Sequence, residues 1–169
     1  MIPLWFLSIP INMITEEAKP YDIDPLLIAA IVQVESNGNT RATRYEPHFR
    51  YIYKSSEFSD RIGITKTTEE HHQMTSWGLM QVMGAVAREM GFEGHLNQLC
   101  EPEEGLRWGI KKLNQQWEKY GDLDSAIAAY NWGTAVKRKK EFVNQDYVDR
   151  VLMYYNMIRD IDYDTLNPV

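Results

Sequence analysis

Apolar residues crowd the chain most densely in Leu26-Leu27-Ile28-Ala29-Ala30-Ile31-Val32, broken only by Gln33 before Val34. Asp24-Pro25 ahead of the run supplies an N-cap oxygen and a proline at the first helical position, and Asn37-Gly38 behind it supplies a left-handed stop. The pattern predicts a helix between these marks. Because it is apolar on every face, this helix should be buried on all sides. A shorter amphipathic candidate, Ile11 to Lys19, precedes it and is closed by Pro20. From about residue 39 to 74 the helical period breaks. Here the stretch from Arg44 to Tyr53 is aromatic and β-prone, and Pro47 points to an edge or irregular strand. Periodicity resumes from Leu79 to Met90, stopping at Gly91, and again from Pro102 to about Tyr120, stopping at Gly121. Asp124 is expected to cap a short apolar helix through Tyr130. Asn144 should open a last helix with Val148, Val151, Leu152, Tyr155 and Ile158 on one face. The sum is a mainly α domain of α+β type, with a small irregular or β region at about 39–74.

Composition narrows the classes. A chain of 169 residues, 44% hydrophobic and 25% charged, can bury a core and suits a single domain over 1–169. No repeat or linker divides it. Met1 to Ile14 reads as an apolar N-terminal arm rather than a signal peptide, since it has no basic start, carries Pro3 and Pro10, and lacks a small-residue cleavage site. Asn12, Glu16 and Glu17 cut it too short for a membrane span. A net charge of −6 argues against an electrostatic hold on nucleic acid. The one dense basic run, Lys137-Arg138-Lys139-Lys140, reads as a solvated helix face. Cys100, the single cysteine, excludes an intramolecular disulfide and a cysteine zinc cage. His71 and His72 are adjacent and cannot face one metal from a helix, and Asp160, Asp162 and Asp164 lack the glycine and late glutamate of a calcium loop. No Gly-rich phosphate loop occurs. Neither a metal nor a cofactor is expected, and the oligomeric state is not legible.

Glu35 is the residue singled out on physical grounds. It ends the most apolar helix, where burial disfavours the charged carboxylate and the negative end of the helix dipole pushes the same way. A carboxyl kept protonated near neutral pH is what a general acid requires. Position alone leaves open a carboxylate that simply points into water. Two other segments carry groups suited to a sugar. Thr75-Ser76-Trp77-Gly78-Leu79-Met80-Gln81 reads as a strand-free turn into a helix, with a glycine for close approach and a glutamine for amide hydrogen bonds. Ala129-Tyr130-Asn131-Trp132-Gly133 ends a short helix with two aromatics and an amide. Each also fits plain core packing with a helix cap.

In order and spacing, Ala30-Ile31-Val32-Gln33-Val34-Glu35-Ser36, Ser76 with Gly78-Leu79-Met80-Gln81, Ala129-Tyr130-Asn131-Trp132-Gly133 and Tyr147-Val148-Asp149-Arg150-Val151 resemble the soluble lytic transglycosylase family, whose core is shared with goose-type lysozymes. The resemblance covers roughly residues 20 to 155. It implies a lysozyme-like, bilobal α-rich domain acting on peptidoglycan, with Glu35 as the acid/base. It further implies that Ser76, Gly78, Met80 and Gln81 line the glycan groove, and that Tyr130 and Asn131 contact substrate or orient the acid. The chain departs from the family pattern at Met83, where proline is common, and at Trp132, where alanine is.

The same resemblance implies cleavage of the MurNAc–GlcNAc bond with one protein carboxyl, closing a 1,6-anhydromuramic ring. The alternative is a hydrolytic muramidase, which needs a second carboxylate. Glu46, in its aromatic setting, and Asp60 are the candidates, although an ion pair with Arg44 or Arg50 for Glu46, and with Arg61 for Asp60, is an open reading. A non-catalytic wall-binding module is a further alternative. Small size and the absence of a clear signal fit a phage-encoded or virion-associated enzyme acting on the cell wall, and equally a stored lysis protein.

Overall fold

The computed structural model of the chain describes residues 10–160. Most of the apolar N-terminal arm, and Asp162 and Asp164, lie outside the described residues. Two compact units emerge, one built from the residues up to Gly38 and from Ile110 onward, the other from Asn39–Gly109. Among the described residues no helix is long and apolar enough to cross a membrane.

The first unit is helical. Helix α1 (Ile11–Ala18) buries Ile14 and Ala18. Helix α2 (Pro25–Ser36) forms between the expected marks. The Asp24 carboxylate accepts the Leu26 N–H at 2.9 Å, and Asn37 turns left-handed at φ 52° to end the helix. Every residue from Leu27 to Gln33 is buried, as the all-round apolar pattern predicts. Later in the chain α6 (Pro102–Tyr120) carries the backbone from the second unit back into the first, followed by α7 (Leu123–Trp132) and α8 (Gln145–Arg159). Helix α8 packs antiparallel along α2. Tyr155 donates to Asp24 at 2.7 Å at one end, and Tyr147 donates to Glu35 at 2.7 Å at the other.

Two local expectations change here. The cap of α7 is Asp122, whose carboxylate accepts the Ser125 N–H at 2.9 Å, while Asp124 lies inside the first turn. Both aspartates suit a helix start, and the one that reaches the third N–H caps it. The basic run is no helix face either. Lys137–Arg138 and Glu141–Phe142 pair as a two-stranded hairpin, β4 and β5 in chain order, with Lys139 left-handed at φ 60°. The four cations are all exposed, as a solvated run should be.

The second unit holds a small antiparallel sheet of order β1 (Thr43–Tyr45), β2 (Thr75–Trp77) and β3 (Val82–Met83). The mainly α architecture with one small β region is as expected, but the stretch from 39 to 74 is more regular than its pattern suggested. It contains α3 (Ser55–Ile62) and α4 (Lys66–Gln73). Helix α4, Lys-Thr-Thr-Glu-Glu-His-His-Gln, has no apolar residue and hence no hydrophobic period to detect. Buried polar bonds hold it. The Arg88 guanidinium grips Glu69 bidentately at 2.8 and 3.0 Å, with both side chains fully buried. Gln73 donates to Glu69 at 2.8 Å and exchanges two further bonds with the Tyr53 backbone. Arg88 also donates to the carbonyls of Phe92 and Gly94 and lies 4.3 Å from the centre of the Phe58 ring. Thr65 caps the helix start by accepting the Thr68 N–H.

The expected helix from Leu79 to Met90 shrinks to α5 (Gly84–Glu89). Gly78 and Gln81 are both left-handed, at φ 71° and 46°, and fold the chain into a tight turn before β3 returns against β2. The turn is therefore flanked by strands rather than strand-free.

The Glu69–Arg88 pair yields a stability prediction. Arg88→Met leaves a buried carboxylate uncompensated and should cost about 3–5 kcal/mol, read as a lowered urea midpoint. The double substitution Glu69→Met with Arg88→Met should recover part of that loss, since no charge is then buried alone.

Candidate active site

Glu35 sits in the last turn of α2, half-buried, two residues before the left-handed Asn37. The apolar run behind it fixes the helix, and the helix fixes where the carboxyl emerges. Three other helices of the first unit bring a residue to the group. From α8, the Tyr147 hydroxyl donates to Glu35 Oε1 at 2.7 Å, and Arg150 Nη2 donates to the Val34 carbonyl at 3.3 Å. From α7 comes Tyr130, which is fully buried. From α6 comes Lys112, whose Nζ lies 4.1 Å from the centre of the Tyr130 ring, a cation–π distance.

The electrostatics centre on Glu35. Burial pushes the Tyr130 phenol well above its ordinary pKa, and the Glu35 charge adds to the effect. Tyr147 is likewise pushed well up, first by burial and then by Glu35, with Tyr130 and the hydrogen bond to Glu35 adding. Both phenols therefore stay neutral and keep their O–H groups across the working range of an enzyme. Lys112 moves the other way. Burial lowers its ammonium to about 8, and the negative charge of Glu35 holds it from falling further.

Asn131 is exposed, and its side-chain oxygen accepts from Asn144 Nδ2 at 3.0 Å. The same nitrogen donates to the Ala128 carbonyl at 3.0 Å, so Asn144 ties the end of α7 to the start of α8. Trp132 is 59% exposed, just before the left-handed Gly133 that ends α7.

The remaining expected residues belong to the second unit, where they build the turn between β2 and β3. Ser76 is buried and directs its hydroxyl at the Met83 sulfur, 4.0 Å away. The Gly78 N–H donates to the Ala42 carbonyl at 2.8 Å, and any side chain there would run into the Leu99 carbonyl oxygen. Met80 is fully buried and packs where Gly109 leaves room for it. Gln81 donates from its side chain to the carbonyls of Ala42 and Gly78, both at 2.9 Å. Ser76, Gly78 and Met80 are thus all buried. Gln81 alone of the four is half-exposed.

Glu46 is half-buried and ion-paired with the Arg44 guanidinium, while its own N–H donates to the Met74 carbonyl at 2.8 Å. Asp60 is exposed on α3, and the neighbouring Arg61 pairs with Glu93 at 2.6 Å instead. Among the described residues no group of three or more His, Cys, Asp or Glu side chains is arranged to hold a metal.

The sequence singled out Glu35, Tyr130 and Asn131 but gave no role to Tyr147 or Lys112. Tyr147 lay within a motif of the resemblance, and Lys112 sits in the polar stretch Lys111-Lys112 of α6, where solvation is the default reading. Neither residue has a local signal that points to Glu35.

Residues 12–151 match the family described as Transglycosylase SLT domain. A protein named Transglycosylase from Enterobacteria phage PRD1 is 29% identical over 114 residues, covering 68% of this chain and 31% of that protein. The chain thus spans about a third of the length of that relative. With the match running from α1 into α8 and taking in Glu35, Lys112, Tyr130 and Tyr147, the chain belongs to the transglycosylase SLT domain family.

Proposed function

We propose that the chain cleaves the MurNAc–GlcNAc β-1,4 bond of peptidoglycan as a lytic transglycosylase, with Glu35 as general acid and then base. The observation that carries the reading is the half-buried Glu35 carboxyl just beyond the buried run Leu27–Gln33 of α2, held by the Tyr147 hydroxyl at 2.7 Å. The family match and the likeness to a phage transglycosylase support the substrate class and a site of action at the cell wall. The match also spans both compact units, which supports their working as a single lysozyme-like domain.

In this reading Glu35 gives its proton to the glycosidic oxygen as the bond to the muramic C1 breaks. The N-acetyl group of the substrate steadies the cation-like centre. The carboxylate left behind then takes the proton from the muramic C6 hydroxyl, whose oxygen bonds to C1 and closes the 1,6-anhydro ring. No second protein carboxylate is needed. The pairing of Glu46 with Arg44 favours this route over hydrolysis, because the carboxylate is already engaged by a guanidinium rather than offered to a water. Tyr130 and Asn131 are assigned to substrate contact or to orienting the acid, and Gln81 to contact through its half-exposed side chain. Ser76, Gly78 and Met80 would shape the surface behind it.

Mass spectrometry of muropeptides released from purified peptidoglycan tests the assignment. The wild-type chain should yield 1,6-anhydromuramic ends, Glu35→Gln should lose roughly 10²–10⁴-fold in rate, and Glu46→Gln should leave the product type unchanged. Ordinary reducing ends from the wild type would mean hydrolysis. A further variant, Tyr147→Phe, removes one charge-assisted hydrogen bond and should slow release roughly ten- to hundredfold while leaving the products anhydro.

A further inference from the structure

A lysine is an unusual neighbour for a group that must hold a proton, because a nearby cation favours the carboxylate. Lys112 nevertheless lies in the helical cluster around Glu35. Its ammonium rests on the face of Tyr130 at 4.1 Å, and the Glu35 carboxylate is the charge that acts on it. Tyr130 is fully buried and supplies a rigid seat. Charged and titratable groups about the carboxyl include Lys112 from α6, Tyr130 from α7, and Tyr147 with Arg150 from α8. Helix α1 also packs on α2, and there Glu16 pairs with Lys19.

We propose that Lys112 is a positioning residue for Glu35. Seated on the Tyr130 ring, its ammonium steadies the carboxylate that remains once Glu35 has given up its proton, and so sets the upper pH limit of the reaction. Lys112 forms no bond to substrate and transfers no proton. It acts through Glu35, and the proposal rests on the reading of Glu35 as the acid.

The consequences are opposite for the two halves of the cycle. A counter-cation eases proton donation to the leaving oxygen but makes the carboxylate left behind a weaker base for the C6 hydroxyl. It also lowers the pH at which the free enzyme loses its acid proton. The burial that lowers Lys112 to about 8 leaves the ammonium charged at neutral pH, so the effect operates where the enzyme works.

The test uses the full chain with ¹³C-labelled glutamate carboxyls and lysine side chains, followed by NMR across pH, together with the pH profile of muropeptide release. Lys112→Met should move the Glu35 titration upward and carry the alkaline limb of the profile up by about one pH unit, with a reduced plateau rate. Lys112→Arg, which keeps the charge, should hold the limb near its wild-type position. Because coupling is reciprocal, Glu35→Gln should let the Lys112 titration fall below its wild-type midpoint. This last reading needs no activity and no substitution at Lys112, so it stands even if Lys112→Met folds poorly. A Lys112→Met variant that slows release while Glu35 and the limb stay put would overturn the proposal in favour of mere packing. An unmoved Lys112 midpoint in Glu35→Gln would do the same. A Glu35→Gln variant that still releases muropeptides would instead sink the acid assignment itself, whatever the titrations show.

Discussion

The burial of the middle of α2 on every face is the constraint from which the packing of the first unit follows. Seven consecutive residues, Leu27 to Gln33, are shielded on every face of the helix, so other elements must surround it. Each fully buried Leu or Ile contributes about 1.5–3 kcal/mol, whereas a hydrogen bond nets about 1 kcal/mol. Apolar packing therefore determines that α8 lies along α2. The polar contacts at the two ends choose its register. Tyr155 meets the Asp24 carboxylate, Arg150 reaches the Val34 carbonyl, and Tyr147 reaches Glu35. A slip of α8 by one residue would turn its side chains by about 100° and break all three at once.

The two units bury charge in contrasting ways. In the second, Glu69 is sealed by a bidentate guanidinium and a glutamine amide, and the arginine spends its other donors on two carbonyls. Such a carboxylate has no route to solvent. Glu35 keeps part of its surface open, is held by a neutral phenol, and has as its nearby cation a lysine already weakened by burial. A satisfied pair of the first kind organises a fold. A carboxyl of the second kind is left able to exchange a proton.

What could be read from the sequence follows from how local each signal is. Helix α2 was legible to within a residue, because its apolar run, its Asp-Pro start and its Asn-Gly stop lie together. Helix α6 ended at Gly121 for the same reason. Helix α4 was not legible, since its stability comes from Arg88, well beyond its own end, and from Gln73 gripping the backbone of Tyr53. The turn at Gly78 and Gln81 hid a strand on either side, because the pairing of Ser76 with Met83 is a matter of backbone register rather than of composition. Within the site, Glu35 declared itself by sitting at the end of the wrong kind of run for a carboxylate. Tyr147 stands 112 positions further along and could not be tied to it without the fold.

That distance reflects how the cluster is built. Glu35, Lys112, Tyr130 and Tyr147 come from four different helices, one residue each, and no two of them share a turn. Three of the four come from motifs of the family resemblance and Lys112 from outside them, and the cluster arises only where the helices pack. The bond from Asn144 to both Ala128 and Asn131 has its place in this scheme, for it locks the end of α7, which carries Tyr130, to the start of α8, which carries Tyr147. The ring of Tyr130 in turn seats Lys112. The setting of the Glu35 carboxyl is then a property of the whole helical packing, and any change that shifts α7 against α8 disturbs the hydrogen bond from Tyr147 as well.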